Sequence, residues 1–126
     1  MSVKITYRGW AGHFICCDRC LFRLNTLIEC GRRKVIVSTV GAMVDIHKTD
    51  ANGKCVFDAI GHDRYYETMA FYAKYDGEFW DADVSRQINF GSPWRWPKLA
   101  DELKAQAGHE KVVAEIAGKM ERGEKP

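Results

Sequence analysis

The chain lacks any apolar run approaching the roughly 20 residues that cross a bilayer, and its opening "MSVKITYRGW" lacks the apolar core of a secretion signal. Both absences predict an intracellular, cytoplasmic protein with no membrane partner. Proline is scarce, at 3 of 126 residues, and no low-complexity tract, linker or internal repeat interrupts the chain. One domain over residues 1–126 is expected, with a tail that frays from about residue 121. A chain of this length buries roughly two thirds of its unfolded surface and needs no staple. Its five cysteines, an odd number without a secretion signal, argue against a disulfide framework.

Missing too are the patterns that name an activity. "HFICCDRCLF" holds Cys17-x-x-Cys20, half of a zinc site, but no second C-x-x-C or H-x-x-x-H completes four ligands. Cys30, Cys55, His13, His47 or His62 would have to be gathered by the fold. The expectation is therefore small buried thiols in strands, with no metal and no cofactor. "GHEKVV", residues 108–113, carries Val113 where a zinc-protease helix needs its second histidine, so Glu110 reads as a solvated helix residue. "GHDR", residues 61–64, could offer His62 as an acid or base oriented by Asp63 or Asp58, with Arg64 binding an anion. A small hydrolase or nuclease is thus one alternative, weakened because adjacent residues seldom orient one another. Asp76, Glu78, Asp81 and Asp83 could chelate a cation. Outward carboxylates on a strand more simply form a wet sheet face and protect an edge.

What the chain does have is strand punctuation. In "ETMAFYAKYDGEFWDADVSR" the Asp76-Gly77 dipeptide suits a two-residue type I′ turn. That turn sets Ala73 opposite Trp80, Phe71 opposite Ala82, Met69 opposite Val84 and Glu67 opposite Arg86. One face then collects Met69, Phe71, Ala73, Trp80, Ala82 and Val84; the other, with Thr68, Ala70 and Tyr72, is largely polar. Helical spacing of Tyr66, Met69, Ala70 and Ala73 competes, but the turn chemistry favours the hairpin. A second hairpin about Gly31-Arg32 sets Leu27 opposite Ile36, Ile28 opposite Val35 and Glu29 opposite Lys34. "VKITY" and "HFICC" read as strands, and Asn52-Gly53 as a turn between two more. After "SPWRWP", Pro97 suits a first helical turn, and Leu99, Leu103, Val113, Ile116 and Met120 recur at helical spacing, with Gly108 a weak point. The fold class expected is α+β: an antiparallel meander of about five to seven strands covered by a C-terminal amphipathic helix.

Net charge is only +2, yet unevenly placed. Residues 1–40 hold seven basic groups (Lys4, Arg8, Arg19, Arg23, Arg32, Arg33, Lys34) against Asp18 and Glu29, a local +5. A basic face attracts phosphates or acidic protein surfaces. "RGW" and "SPWRWP" add tryptophan beside arginine, the composition of interface anchors. The candidate binding residues are accordingly Arg8, Trp10, Arg19, Arg23, Arg32, Arg33 and Lys34, followed by Trp94, Arg95 and Trp96. Direct nucleic-acid binding by the basic half is a second alternative. Exposed hairpin edges permit a homodimer without requiring one.

The phrases "ITYRGWAGHFI", "NTLIE", "VSTVG", "IGHDRYYETMAF", "WDADVSR" and "HEKVVAEIA" resemble a family of small proteins from phages and prophages of Gram-negative bacteria. The resemblance runs from residue 4 to about residue 117. It implies an inhibitor of bacterial defence, of the anti-CRISPR type, that works by occupying a surface of a host defence protein or nucleoprotein complex. The positive net charge sets the chain apart from the acidic members of that group that mimic DNA.

Overall fold

The longest strand begins where β-branched residues are densest. In "KVIVSTV" each second side chain points to the same face, and both faces are mostly apolar, with Thr39 on one and Ser38 on the other, a pattern that suits a strand covered on two sides. The computed structural model describes residues 2–9, 12–13 and 17–126. Among these, seven strands make one antiparallel sheet: β1 (Lys4–Arg8), β2 (Cys20–Cys30), β3 (Arg33–Thr49), β4 (Cys55–Asp58), β5 (Tyr66–Tyr75), β6 (Trp80–Ile88) and β7 (Arg95–Trp96). Their order is β1-β2-β3-β5-β6, with β4 also on β3 and β7 also on β5. A 3₁₀ turn, Leu99–Asp101, leads into α1 (Glu102–Glu121). The α+β antiparallel sheet with a C-terminal helix is thus what the sequence implies, and no described helix is long and apolar enough to cross a membrane.

The β2–β3 hairpin has the expected register, with Leu27 opposite Ile36, Ile28 opposite Val35 and Glu29 opposite Lys34. Gly31 supplies the turn's positive φ of 61°. At the far end of β3 the Asn52-Gly53 turn also forms, organised by Asp50, whose Oδ1 accepts from the amides of Asn52 and Lys54. β3 is long enough to change partners along one edge, from β5 as far as Gly41 to β4 from Met43. Ala42 takes φ 51° at that handover, a local kink in an otherwise extended strand. The strand expected over "HFICC" fails where it can be followed. Cys17–Arg19 form a single 3₁₀ turn, while Phe14, Ile15 and Cys16 lie outside the described residues.

The β5–β6 hairpin exists, but its register differs. Asp76 Oδ1 accepts from the amides of Glu78 and Phe79, and the Asp76 amide donates to the Phe79 carbonyl. This capped four-residue loop displaces the two-residue turn, so Trp80 pairs with Tyr75 and Ala82 with Ala73. Further along, Phe71 pairs with Gln87, leaving residues 83–86 opposite Tyr72 alone. Asp83 Oδ1 holds that bulge through the amide and hydroxyl of Ser85. Val84 is consequently exposed, and Glu67 pairs with Arg95 of β7 instead of with Arg86.

The helix covers the face expected to be polar. Ala70 packs with Ile28, Val35, Val37 and Ile88 beneath Val112, Val113, Ile116 and Met120 of α1. Burying each of these large aliphatic side chains contributes about 1.5–3 kcal/mol. The opposite face is buried as well: Leu27, Ile36 and Phe71 are each under 7% exposed. Leu99 and Leu103 do not join the helix stripe and stand 38% and 77% exposed. The stripe begins instead at Ala105, about 200° around the axis from Leu103. Gly108 lets the helix approach closely, since a Cβ there would sit 2.1 Å from Trp96 Cζ2. The weak point thus becomes a contact, and α1 continues unbroken.

His109 makes a buried polar face workable. It is 0% exposed, and its ring meets Thr26 Oγ1 at 2.8 Å through Nε2 and Thr39 Oγ1 at 2.7 Å through Nδ1. Thr39 in turn meets Thr68 at 2.6 Å. Helix and three strands are thereby joined by hydroxyl hydrogen bonds, any of which would cost about 1–3 kcal/mol if left unpaired. Burial lowers the His109 pKa from 6.5 to about 4. The folded protein therefore binds this proton more weakly than the unfolded chain does. The resulting stability is complete above pH about 6.5, declines as pH falls and is gone near pH 4. Urea unfolding from pH 7 down to pH 4 should cost the wild type about 3 kcal/mol more than it costs a His109→Gln protein; parallel curves would show that His109 carries no such linkage.

Candidate partner-binding surface

A chain of polar contacts runs from the helix-free face of the sheet to an exposed tryptophan. Glu67, 7% exposed on β5, receives Arg64 Nε on Oε1 at 2.8 Å and His13 Nε2 on Oε2 at 2.8 Å. Burial pushes the Glu67 carboxyl up, but the hydrogen bonds from His13 and Arg64 outweigh it and hold the group below its ordinary value. A carboxylate only accepts, so His13 Nε2 carries the proton between them. In the neutral ring Nδ1 then accepts from Ser38 Oγ at 3.0 Å, while Ser38 accepts from the His13 amide at 3.1 Å. Ser38, His13 and Glu67 thus copy the connectivity of a hydrolytic triad. Ser38, however, is 1% exposed in the middle of β3, where no substrate atom reaches Oγ.

Outward from Glu67 the contacts continue. Arg64 Nη1 donates to Asp63 Oδ1 at 2.8 Å, and Arg95 Nη1 donates to Asp63 Oδ2 at 2.5 Å. One carboxylate thereby holds two guanidinium groups beside Trp94, at 5.1 and 5.4 Å from its ring centre. Trp94 itself is 40% exposed. Next to it lies a cleft of about 360 Å³ between β5, the end of β6 and the loop 89–94. Glu115 of α1 ties that loop down, accepting from the Gly91 amide and from both the amide and the hydroxyl of Ser92. Burial raises the Glu115 carboxyl, and these hydrogen bonds bring it below its ordinary value.

The expected site residues do not share one surface. Trp94 and Arg95, neighbours in the chain, stand together with Arg64. Trp96 is buried against Gly108 and belongs to the core. Arg8 holds the sheet: Nε and Nη2 grip Asn25 Oδ1, and Nη1 reaches the Trp80 carbonyl at 2.7 Å. In a flat sheet β1 and β6 would stand roughly 19 Å apart, so this contact requires the sheet to curl until its two ends meet. Burial lowers the Arg8 pKa, against the opposing influence of Asp81 and Glu29. Lys34 lies 4.8 Å from the Trp80 ring centre and 3.9 Å from Glu29. Arg33 donates to the Glu124 carbonyl at 2.8 Å. Arg19 is half-buried in its 3₁₀ turn, Arg23 and Arg32 are exposed, and Trp10 lies outside the described residues.

The other motifs are absorbed by the fold. Cys20 packs with Val40 and Ile60, Cys30 packs beside Met120 in a separate cluster, and Cys55 is exposed on β4. Among the described residues no three histidine, cysteine or acidic side chains are grouped to hold a metal; the side chain of Cys17 is not among them. His62 is 95% exposed, and its Nδ1 is 4.0 Å from an Asp63 carboxylate already bound to two arginines. Asp76, Asp81 and Asp83 each accept from nearby backbone amides. Glu110 is exposed and accepts from Tyr7 Oη at 3.1 Å. Sequence reasoning named His13 only as a stray metal ligand and Glu67 only as a cross-strand partner, and it passed over Ser38; their contacts span 25 and 54 positions, and no local signal joins them.

No protein-family model, curated protein or solved structure matches the chain. The division between structural and exposed arginines can be measured directly. Arg8→Ala, which removes the guanidinium donors to Asn25 Oδ1 and the Trp80 carbonyl, should lower the urea-unfolding free energy by about 2 kcal/mol. Arg32→Ala should change it by less than about 0.5 kcal/mol. Equal effects would remove Arg8 from its role in curling the sheet.

Proposed function

We propose that this protein is a non-enzymatic binding module that docks on a host defence protein or nucleoprotein complex and blocks it. The observation that carries the reading is Trp94, partly exposed and flanked by two arginines that one carboxylate fixes in place. Tryptophan and arginine are the side chains most often found as energetic anchors at interfaces. Anchors held before binding lose little conformational entropy on docking. The resemblance of the sequence to small phage proteins supports the class of target, and the burial of Ser38 within its contacts to His13 and Glu67 supports docking over turnover.

Plaquing of a phage on a bacterial strain with active CRISPR immunity provides the test. Expressed wild-type protein should restore plaquing. A Trp94→Ala, Arg95→Glu protein of unchanged melting temperature should not, its affinity having fallen about thirtyfold or more. Failure of the wild type to restore plaquing would remove this target class; equal restoration by the variant would remove the surface.

A further inference from the structure

The cleft beside Trp94 combines groups that specify a ligand. Its lining includes the Arg64 guanidinium, the carboxamides of Gln87 and Asn89, the apolar side chains of Met69 and Phe90, and the indole, with no carboxylate among them. A volume of about 360 Å³ lies in the range of small-molecule sites. Arg64 is the one charged side chain in the wall; Glu67 and Asp63 behind it balance its charge and aim its remaining N–H donors, which suit an acceptor-rich group such as a phosphate. The Gln87 and Asn89 side chains make no hydrogen bond to other described residues, and both residues are exposed. A carboxamide presents a donor and an acceptor side by side in one plane, the geometry that pairs with the edge of a heteroaromatic base, adenine above all. An exposed indole offers a stacking surface to any base.

The wall is also built in advance. Thr68 donates its amide to the Trp94 carbonyl at 2.7 Å, and Glu115 holds Gly91 and Ser92, so the loop is fixed at both ends. Arg64 commits Nε to Glu67 and Nη1 to Asp63, which leaves Nη2 for a ligand.

We propose that this cleft takes a nucleotide, free or as an unpaired residue of a single strand. Its base lies on Trp94, its edge meets Gln87 and Asn89, and its phosphate faces Arg64 and Arg95. The assignment rests on the Trp94 surface described above and narrows the partner from defence complexes in general to those that bind or expose a nucleotide.

Tryptophan fluorescence of the full-length protein tests it, titrated separately with adenosine monophosphate, an oligoadenylate of about ten nucleotides and ribose 5-phosphate. Saturable quenching by the mononucleotide supports a free nucleotide as sufficient; saturation by the oligomer alone supports a strand. In either case Trp94→Phe should abolish the quenching. Gln87→Ala with Asn89→Ala should weaken binding about tenfold or more at unchanged melting temperature. Ribose 5-phosphate acting as strongly as the nucleotide, persistence of the signal in Trp94→Phe, or no saturable response would each overturn the proposal. Should plaquing nonetheless be restored in a Trp94-dependent manner, the docking function stands and only the ligand class falls.

Discussion

The central strands β3 and β5 are covered on both faces, and that burial constrains everything else. A strand pair with water on one side can carry threonine, serine and glutamate at no cost. Here Ser38, Thr39, Glu67 and Thr68 are all under 9% exposed, so each must find a partner inside the protein. Among the described residues no buried side-chain nitrogen or oxygen lacks one. Beneath the helix the solution is neutral, one histidine bridging threonines on neighbouring strands. On the other face it is charged, and Glu67 is satisfied by an imidazole and a guanidinium at once.

That difference decides which basic groups are left for a partner. Arg8 is drawn inward because the sheet curls and Trp80 needs a donor for its carbonyl. Lys34 and Arg33 are held near the β2–β3 turn by Trp80, Glu29 and the chain end. The same Glu67 that balances the buried face orients Arg64, and through Asp63 also Arg95, around Trp94. The exposed surface is thus the outer end of an interior network, which gives it a fixed shape.

Local chemistry was legible in the sequence; distant pairing was not. The Gly31 turn and the β-branched run after it fixed the β2–β3 register, because both signals lie within a few residues of the pairs they create. Asp76-Gly77 marked the second turn, yet whether Asp76 caps a four-residue loop or sits in a two-residue one depends on its side-chain hydrogen bonds. A two-residue shift at the turn and the bulge over residues 83–86 together displaced the expected partners, and with them hid the link between Glu67 and Arg95. The structural role of His109 was not legible because its partners Thr26 and Thr39 stand 83 and 70 positions away. Trp96 read as a surface anchor because nothing nearby shows that Gly108 leaves a place for its ring. Of the candidate surface, Trp94 and Arg95 were visible as neighbours in the chain, whereas Arg64 joined them only through the fold.

The dependence of the helix-free face on its charged network is measured most directly by a double-mutant cycle between His13 and Glu67. Urea-unfolding free energies of His13→Ala, Glu67→Ala and the double variant should give a coupling of about 1–3 kcal/mol at neutral pH, the size expected for a buried charge-assisted hydrogen bond. A coupling of zero would mean that the contact between His13 and Glu67 does nothing to hold the second face, contradicting the account of a charged network there.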